Sequence, residues 1–265
     1  VRVLVLLAAV AAAASIALVA VDGSPLGFAR SRPAQGRVLD VPILLYHRIG
    51  RLPAVPTPIS DALTVEPSVF DGQMEWLSRH RFHPISDRQL LRALNLGTPL
   101  PKRPVLITFD DGYADVLYNA APVLHRLHWP ATAFIITDRV GGPDPSFLTW
   151  AELRDLEQDG FTIGSHTVHH LDLTKVPPGQ AWFELLQSRL TLERRLGRPV
   201  HSFAYPYGAE NPAVVGEVNS AGYALAFTTR SGDVQTQAQR LLLRRYDIHR
   251  NLDLAQFAAL LHSGT

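Results

Sequence analysis

Two adjacent aspartates at the end of an apolar run are the first residues in this chain that invite chemistry. The run Val105–Phe109 leads into Asp110-Asp111-Gly112. Neighbouring carboxylates at a buried strand end are costly unless they bind a cation or share a proton. A single aspartate there would equally serve as a helix N-cap. A second cluster, His166-Thr167-Val168-His169-His170, follows the run Phe161–Ser165. On a helical turn, imidazoles four residues apart face one point and can ligate one metal. The pair lacks the glutamate of the H-E-x-x-H zinc-protease helix. One carboxylate and two imidazoles form a three-ligand set for Zn²⁺ or a similar divalent ion, with positions left for water or substrate. The second carboxylate is then free to act as a base.

Two further strand ends carry functional side chains. Phe203-Ala204-Tyr205-Pro206-Tyr207-Gly208 reads either as an aromatic turn packed into the core or as a loop wall. Such a wall stacks a sugar and offers a backbone N–H to an oxyanion. Tyr46-His47-Arg48 places a histidine after the first apolar run, as a structural group or as a general acid.

These clusters need a scaffold, and the hydrophobic pattern supplies one. Short apolar runs at Val41–Tyr46, Pro104–Phe109, Ala131–Thr137, Phe161–Ser165, Ser202–Tyr205, Ala224–Thr229 and Leu241–Ile248 read as strands buried on both faces. Helices lie between them. Ser86/Gln89 and Thr149/Glu152 are capping boxes, and Asn211-Pro212 caps a helix that Gly222 closes. Gln180–Leu196 is amphipathic and ends at Gly197, and Asp253 caps a last helix. This alternation predicts an α/β fold, a distorted (β/α) barrel of about seven parallel strands, with polar strand ends facing the site. Arg51–Pro67, with four prolines, is expected to be a loop.

The chain has 265 residues, 46% hydrophobic and 18% charged, with a formal net charge of +1 and no cysteine. That excludes extensive disorder, disulfide scaffolds, thiolate nucleophiles and cysteine zinc sites. It also argues against a nucleic-acid partner, for which a basic excess is usual. Val3–Val21 is uncharged and follows Arg2, a length near the ~17–25 residues of a membrane span. Residues 1–37 are therefore expected to be a cleaved signal or a membrane anchor with a short linker, and 38–265 the catalytic domain. The protein is expected to be exported, either secreted or anchored by residues 3–21.

Thr108-Phe109-Asp110-Asp111-Gly112, then His166-Thr167-x-x-His170, then Tyr205-Pro206-Tyr207-Gly208 resemble the ordered motifs of the polysaccharide deacetylases (carbohydrate esterase family four, the NodB-homology domain). The resemblance runs from Val41 to about Ile248. It implies a distorted β/α barrel, with Asp111, His166 and His170 as ligands of a divalent metal, most readily Zn²⁺. It further implies Asp110 as catalytic base, and the Tyr207 N–H in an oxyanion hole beside Tyr205 and Pro206. Commoner members carry an arginine that orients the base where Ala204 stands here. They also carry a late Leu-x-His motif, for which the nearest candidate here is His249. Leu44-Leu45-Tyr46-His47 and Phe203-Ala204-Tyr205-Pro206 are similar to the branch that deacetylates poly-β-1,6-N-acetylglucosamine. In that branch an early histidine serves as the acid, which implies His47.

The expected function is metal-dependent removal of N-acetyl groups from N-acetylglucosamine-containing polysaccharide. The alternatives are a catalytically weak carbohydrate-binding protein of the same fold, suggested by Ala204, and an amidase opening cyclic imides or ureides.

Overall fold

The protein is described by a computed structural model covering residues 36–52 and 55–262. The expected leader, residues 3–21, lies outside the described residues. In chain order the main elements are β1 (Ile43–Tyr46), α1 (Pro58–Leu63), α2 (Pro67–Arg79), α3 (Asp87–Leu96), β2 (Pro104–Phe109), α4 (Ala121–Leu127), β3 (Ala131–Ile135), α5 (Trp150–Gln158), β4 (Phe161–Ser165), α6 (Pro178–Leu196), β5 (Ser202–Ala204), α7 (Pro212–Ser220), β6 (Leu225–Phe227), β7 (Tyr246–Asp247) and α8 (Leu254–His262). All belong to one compact unit. Among the described residues, no helix is long and apolar enough to cross a membrane.

The seven strands run parallel in the order β6-β5-β4-β3-β2-β1-β7. A short pair of residues, His83–Pro84, adds to β2. The sheet curls until its edges nearly meet. Leu243, just before β7, exchanges backbone hydrogen bonds with Ala226 and Thr228 at the far edge, both at 2.9 Å. The α/β barrel expected from the alternation is the fold found.

Strand residues alternate between two apolar layers. Leu44, Tyr46, Val105, Ile107 and Ile163 pack outward under the helices. Ile43, Leu106, Phe134, Ala204, Phe227 and Leu243 fill the barrel interior. Gly164 is required by that interior, since a Cβ there would lie 2.5 Å from the Phe134 ring. The two-residue period carries this inward face to the strand ends. Leu106 is followed on that face by Thr108 and Asp110, Gly164 by His166, and Leu243 by Arg245.

The capping boxes at Ser86 and Thr149 form as the sequence implies, and Asn211 caps α7 by accepting from Val214 N. Arg51–Pro67 departs from its expectation, because it contains α1 and a short strand, Thr64–Val65, paired with Arg48–Ile49. Pro58 occupies the first turn of α1, where a missing N–H costs nothing, and Thr57 with Ser60 forms a capping box. Two of the four prolines thus start helices, Pro58 that of α1 and Pro67 that of α2.

Candidate active site

The carboxyl ends of the strands open onto a cavity of about 640 Å³. His47, Asp110, Asp111, His166, His170, Tyr205 and Tyr207 line it, together with Tyr113, Arg139, Phe147, Thr229 and residues of α1. His47 thus shares the cavity with the two aspartates, whereas His249 is exposed and off the cavity wall. Tyr205 is almost wholly buried and spends its hydroxyl on Leu241 O at 3.0 Å. Pro206 is buried and is not part of the wall. Tyr207 is 68% exposed at the mouth, its ring 4.6 Å from that of His170.

Asp110 continues β2, and the chain then turns sharply. Asp111 has φ +75° and Gly112 φ +86°. A Cβ at Gly112 would meet Ile135 at 3.1 Å, so both the backbone sign and the space favour glycine. The turn sends successive carboxylates to different tasks. Asp111 Oδ1 lies 3.4 Å from His166 Nε2 and 3.5 Å from His170 Nε2, and the two Nε2 atoms are 3.1 Å apart. Ligand atoms around a tetrahedral zinc at ~2.0–2.2 Å stand roughly 3.3–3.5 Å from one another. Asp111 Oδ1 is also buried without a hydrogen-bond partner, a costly state that a cation would relieve. The three residues together fit a metal ion. His166 Nδ1 lies 2.8 Å from Ala204 O, which fixes the ring so that Nε2 faces the cluster.

The His166–His170 turn holds its own strain. Thr167 and His170 adopt φ +69° and +59°, which for residues other than glycine costs on the order of 1–3 kcal/mol each.

Asp110 has a partner that the sequence reading did not supply. Arg245, fully buried on the inward face, donates Nη1 to Oδ1 at 2.8 Å and Nη2 to Oδ2 at 2.7 Å. Its Nε donates to Thr228 O and its Nη1 also reaches Thr108 Oγ1. The arginine expected to be lacking, because Ala204 stands in the usual place, therefore comes from the strand that closes the barrel. The signal was the pair Arg244-Arg245 inside an apolar run, since alternation must turn one of two neighbours inward.

Electrostatics divide the site. Burial alone would raise the pKa of Asp110, but the nearby charges of Arg245 and His166 outweigh it and hold the carboxyl below its ordinary range. Burial likewise opposes the ionised form of Asp111, yet the neighbouring imidazoles, His166 first and then His47 and His170, bring it down to about 2. Burial and the His166 charge push His170 down to about 4, a neutral ring suited to ligation. His166 is raised, because Asp110 and Asp111 overcome its burial. At the rim, the Tyr113 and Phe147 rings stack at 4.7 Å, with Arg48 over the first and Arg139 over the second.

A parallel α/β barrel whose strand ends present an arginine-held carboxylate beside an Asp-His-His cluster has the parts of a metal-assisted hydrolase. Residues 97–226 match the family model described as polysaccharide deacetylase. The solved structure of the Streptococcus pyogenes deacetylase PplD superposes with a TM-score of 0.77 at 27% identity, covering 85% of this chain and 100% of that one. IcaB from Ammonifex degensii gives a TM-score of 0.71 at 25% identity, over 86% of this chain and 98% of that one. The poly-β-1,6-N-acetyl-D-glucosamine N-deacetylase of Escherichia coli (strain K12) is 25% identical, over 74% of this chain and 35% of its own length. This chain therefore spans about a third of that relative. It carries a polysaccharide deacetylase domain of the NodB type.

Proposed function

We propose that this protein is an exported, metal-dependent N-deacetylase acting on N-acetylglucosamine-containing polysaccharide, with the poly-β-1,6-linked polymer as its first candidate. The observation that carries the reading is the pair of neighbouring aspartates with opposite surroundings, Asp110 held by Arg245 and Asp111 facing two imidazoles. Export is supported by the apolar run Val3–Val21, and the choice of polymer by the names of the relatives. The ligand set of one carboxylate and two imidazoles is one that zinc favours.

Asp111, His166 and His170 would hold a divalent cation, which when bound would supply Lewis acidity toward an amide carbonyl and water. The chain's own residues do the rest. Asp110, kept ionised by Arg245, accepts the proton of the attacking water through a carboxylate oxygen. The Tyr207 backbone N–H faces the carbonyl oxygen as negative charge develops there. His47 delivers a proton to the leaving nitrogen, and acetate and a free amine are the products. The Tyr113–Phe147 stack and Tyr207 wall the sugar in.

Acetate release from poly-β-1,6-N-acetylglucosamine and from chitin oligomers, measured on zinc-loaded protein before and after chelation, tests the reading. Release that stops on chelation and returns with zinc supports it. No release from any acetylated glucosamine polymer sinks it.

A further inference from the structure

The backbone between the two histidine ligands is gripped by side chains. His170 N–H donates to Thr167 Oγ1 at 2.8 Å, and Thr167 N–H approaches Ser165 Oγ at 3.4 Å. The two N–H groups between them, of Val168 and His169, both donate to Glu184 Oε2, at 2.9 and 2.8 Å. The other oxygen, Glu184 Oε1, lies 2.6 Å from His169 Nδ1. Glu184 is 1% exposed and sits on α6. One turn further along the same helix, Ser188 Oγ bonds Ser165 Oγ at 2.8 Å. Helix α6 therefore holds the strand end and the ligand turn at two successive points.

This grip has a clear physical task. Thr167 and His170 are in the left-handed region, which such residues leave unless their surroundings over-determine them. Releasing Val168 and His169 would let the turn relax and carry His170 Nε2 away from Asp111. Glu184 is not on the cavity wall, so it touches neither substrate nor the ligating imidazoles and acts through its hold on the turn, on two backbone N–H groups and the His169 ring.

We propose that Glu184 is a positioning residue of the metal site, a buried carboxylate that locks the His166–His170 turn in its ligating conformation. The proposal rests on the reading of Asp111, His166 and His170 as metal ligands. A purely structural cap would make stability fall and leave the metal's surroundings unchanged in whatever folds.

The test is zinc affinity by competition with a chromogenic chelator, the visible spectrum of the Co²⁺-loaded protein, and the apo melting temperature, for the parent, E184A and E184Q. E184A is expected to raise the zinc Kd about tenfold to a hundredfold, the range found for groups that orient ligands, and to shift the Co²⁺ spectrum. E184Q can accept both N–H groups on its amide oxygen and donate to a His169 of the other tautomer, so it should stay near the parent. Parental affinity and spectrum in E184A overturn the proposal, as does an equal loss in E184A and E184Q. If E184A does not fold, E184D carries the test. It keeps the charge and withdraws the oxygens by one methylene, and parental zinc affinity in it overturns the proposal. A parent that binds neither Zn²⁺ nor Co²⁺ sinks the metal reading itself, a result distinct from these.

Discussion

Arg245 and Asp110, 135 residues apart in the chain, form a two-pronged ion pair inside the barrel, with both contacts shorter than 3 Å. The guanidinium is fully buried and lies over the Phe134 and Phe227 rings. Its position follows from strand closure, because β7 pairs with β1 and the residues just before it pair with β6. One residue thus joins the closure of the barrel to Asp110, the proposed base.

Replacing that arginine separates the two roles. R245A leaves a buried carboxylate without its cation, a change that costs about 3–5 kcal/mol in comparable buried pairs. R245K keeps the charge but cannot reproduce the fork. The lysine variant is expected to fold and to lose about tenfold to a hundredfold in kcat/KM, roughly 1.4–2.8 kcal/mol of transition-state stabilisation. Steady-state acetate release checks this, and a parental kcat/KM in R245K would show that the fork is dispensable.

The two aspartates should fail differently. D110N removes the proton acceptor but not a ligand, so zinc affinity stays at the parental level while kcat falls about 10²- to 10⁴-fold. D111N and H170A remove ligands, and zinc affinity should fall with activity. Isothermal titration with zinc on all three variants gives the comparison. Loss of zinc binding in D110N equal to that in D111N would deny Asp110 its separate role.

Much of this arrangement was legible in the sequence because it is local. Strand ends and capping boxes lie within windows of a few residues, where period and residue type decide conformation, whereas His166 and His170 meet on an irregular turn with positive φ at Thr167 and His170, and not on the helical turn that their spacing suggests. Arg245 was not legible, because its partner is set by which strands close the barrel. Glu184 was hidden in a similar way. It reads as one more residue of an amphipathic helix until the packing of α6 against β4 brings it to the turn. The α1 helix was hidden by the prolines around it, since proline signals a break in general, but Pro58 marks a helix start because the capping Thr57 precedes it.

Zinc binding should release a proton. Metal ligation requires neutral imidazoles. His170, lowered to about 4, is already neutral near pH 6. His166, raised above its ordinary value by the two aspartates, carries a proton there that zinc must displace. The apparent affinity is therefore expected to weaken as pH falls through the His166 titration, with about one proton released per zinc at pH 6. Calorimetric titrations in buffers of different ionisation enthalpy measure this number. Zero protons released at pH 6 would contradict the raised His166.

Asp87 offers a test of stability away from the catalytic end. It is the first residue of α3 and 1% exposed, and its oxygens accept from Ser202 Oγ at 2.6 Å and Arg88 N at 2.7 Å. Burial raises its pKa, and the hydrogen bonds from Ser202 and Arg88 offset that only in part. Because the folded pKa exceeds the unfolded one, its contribution to stability is fully present below the unfolded value. That contribution is lost as pH rises through the folded value. D87N has no such titration and keeps an oxygen for Ser202. The melting temperature of D87N minus that of the parent should therefore be more positive at pH 7 than at pH 4, while kcat/KM stays parental. A difference that is constant across this range, or that grows toward acid, would mean that burial does not raise Asp87.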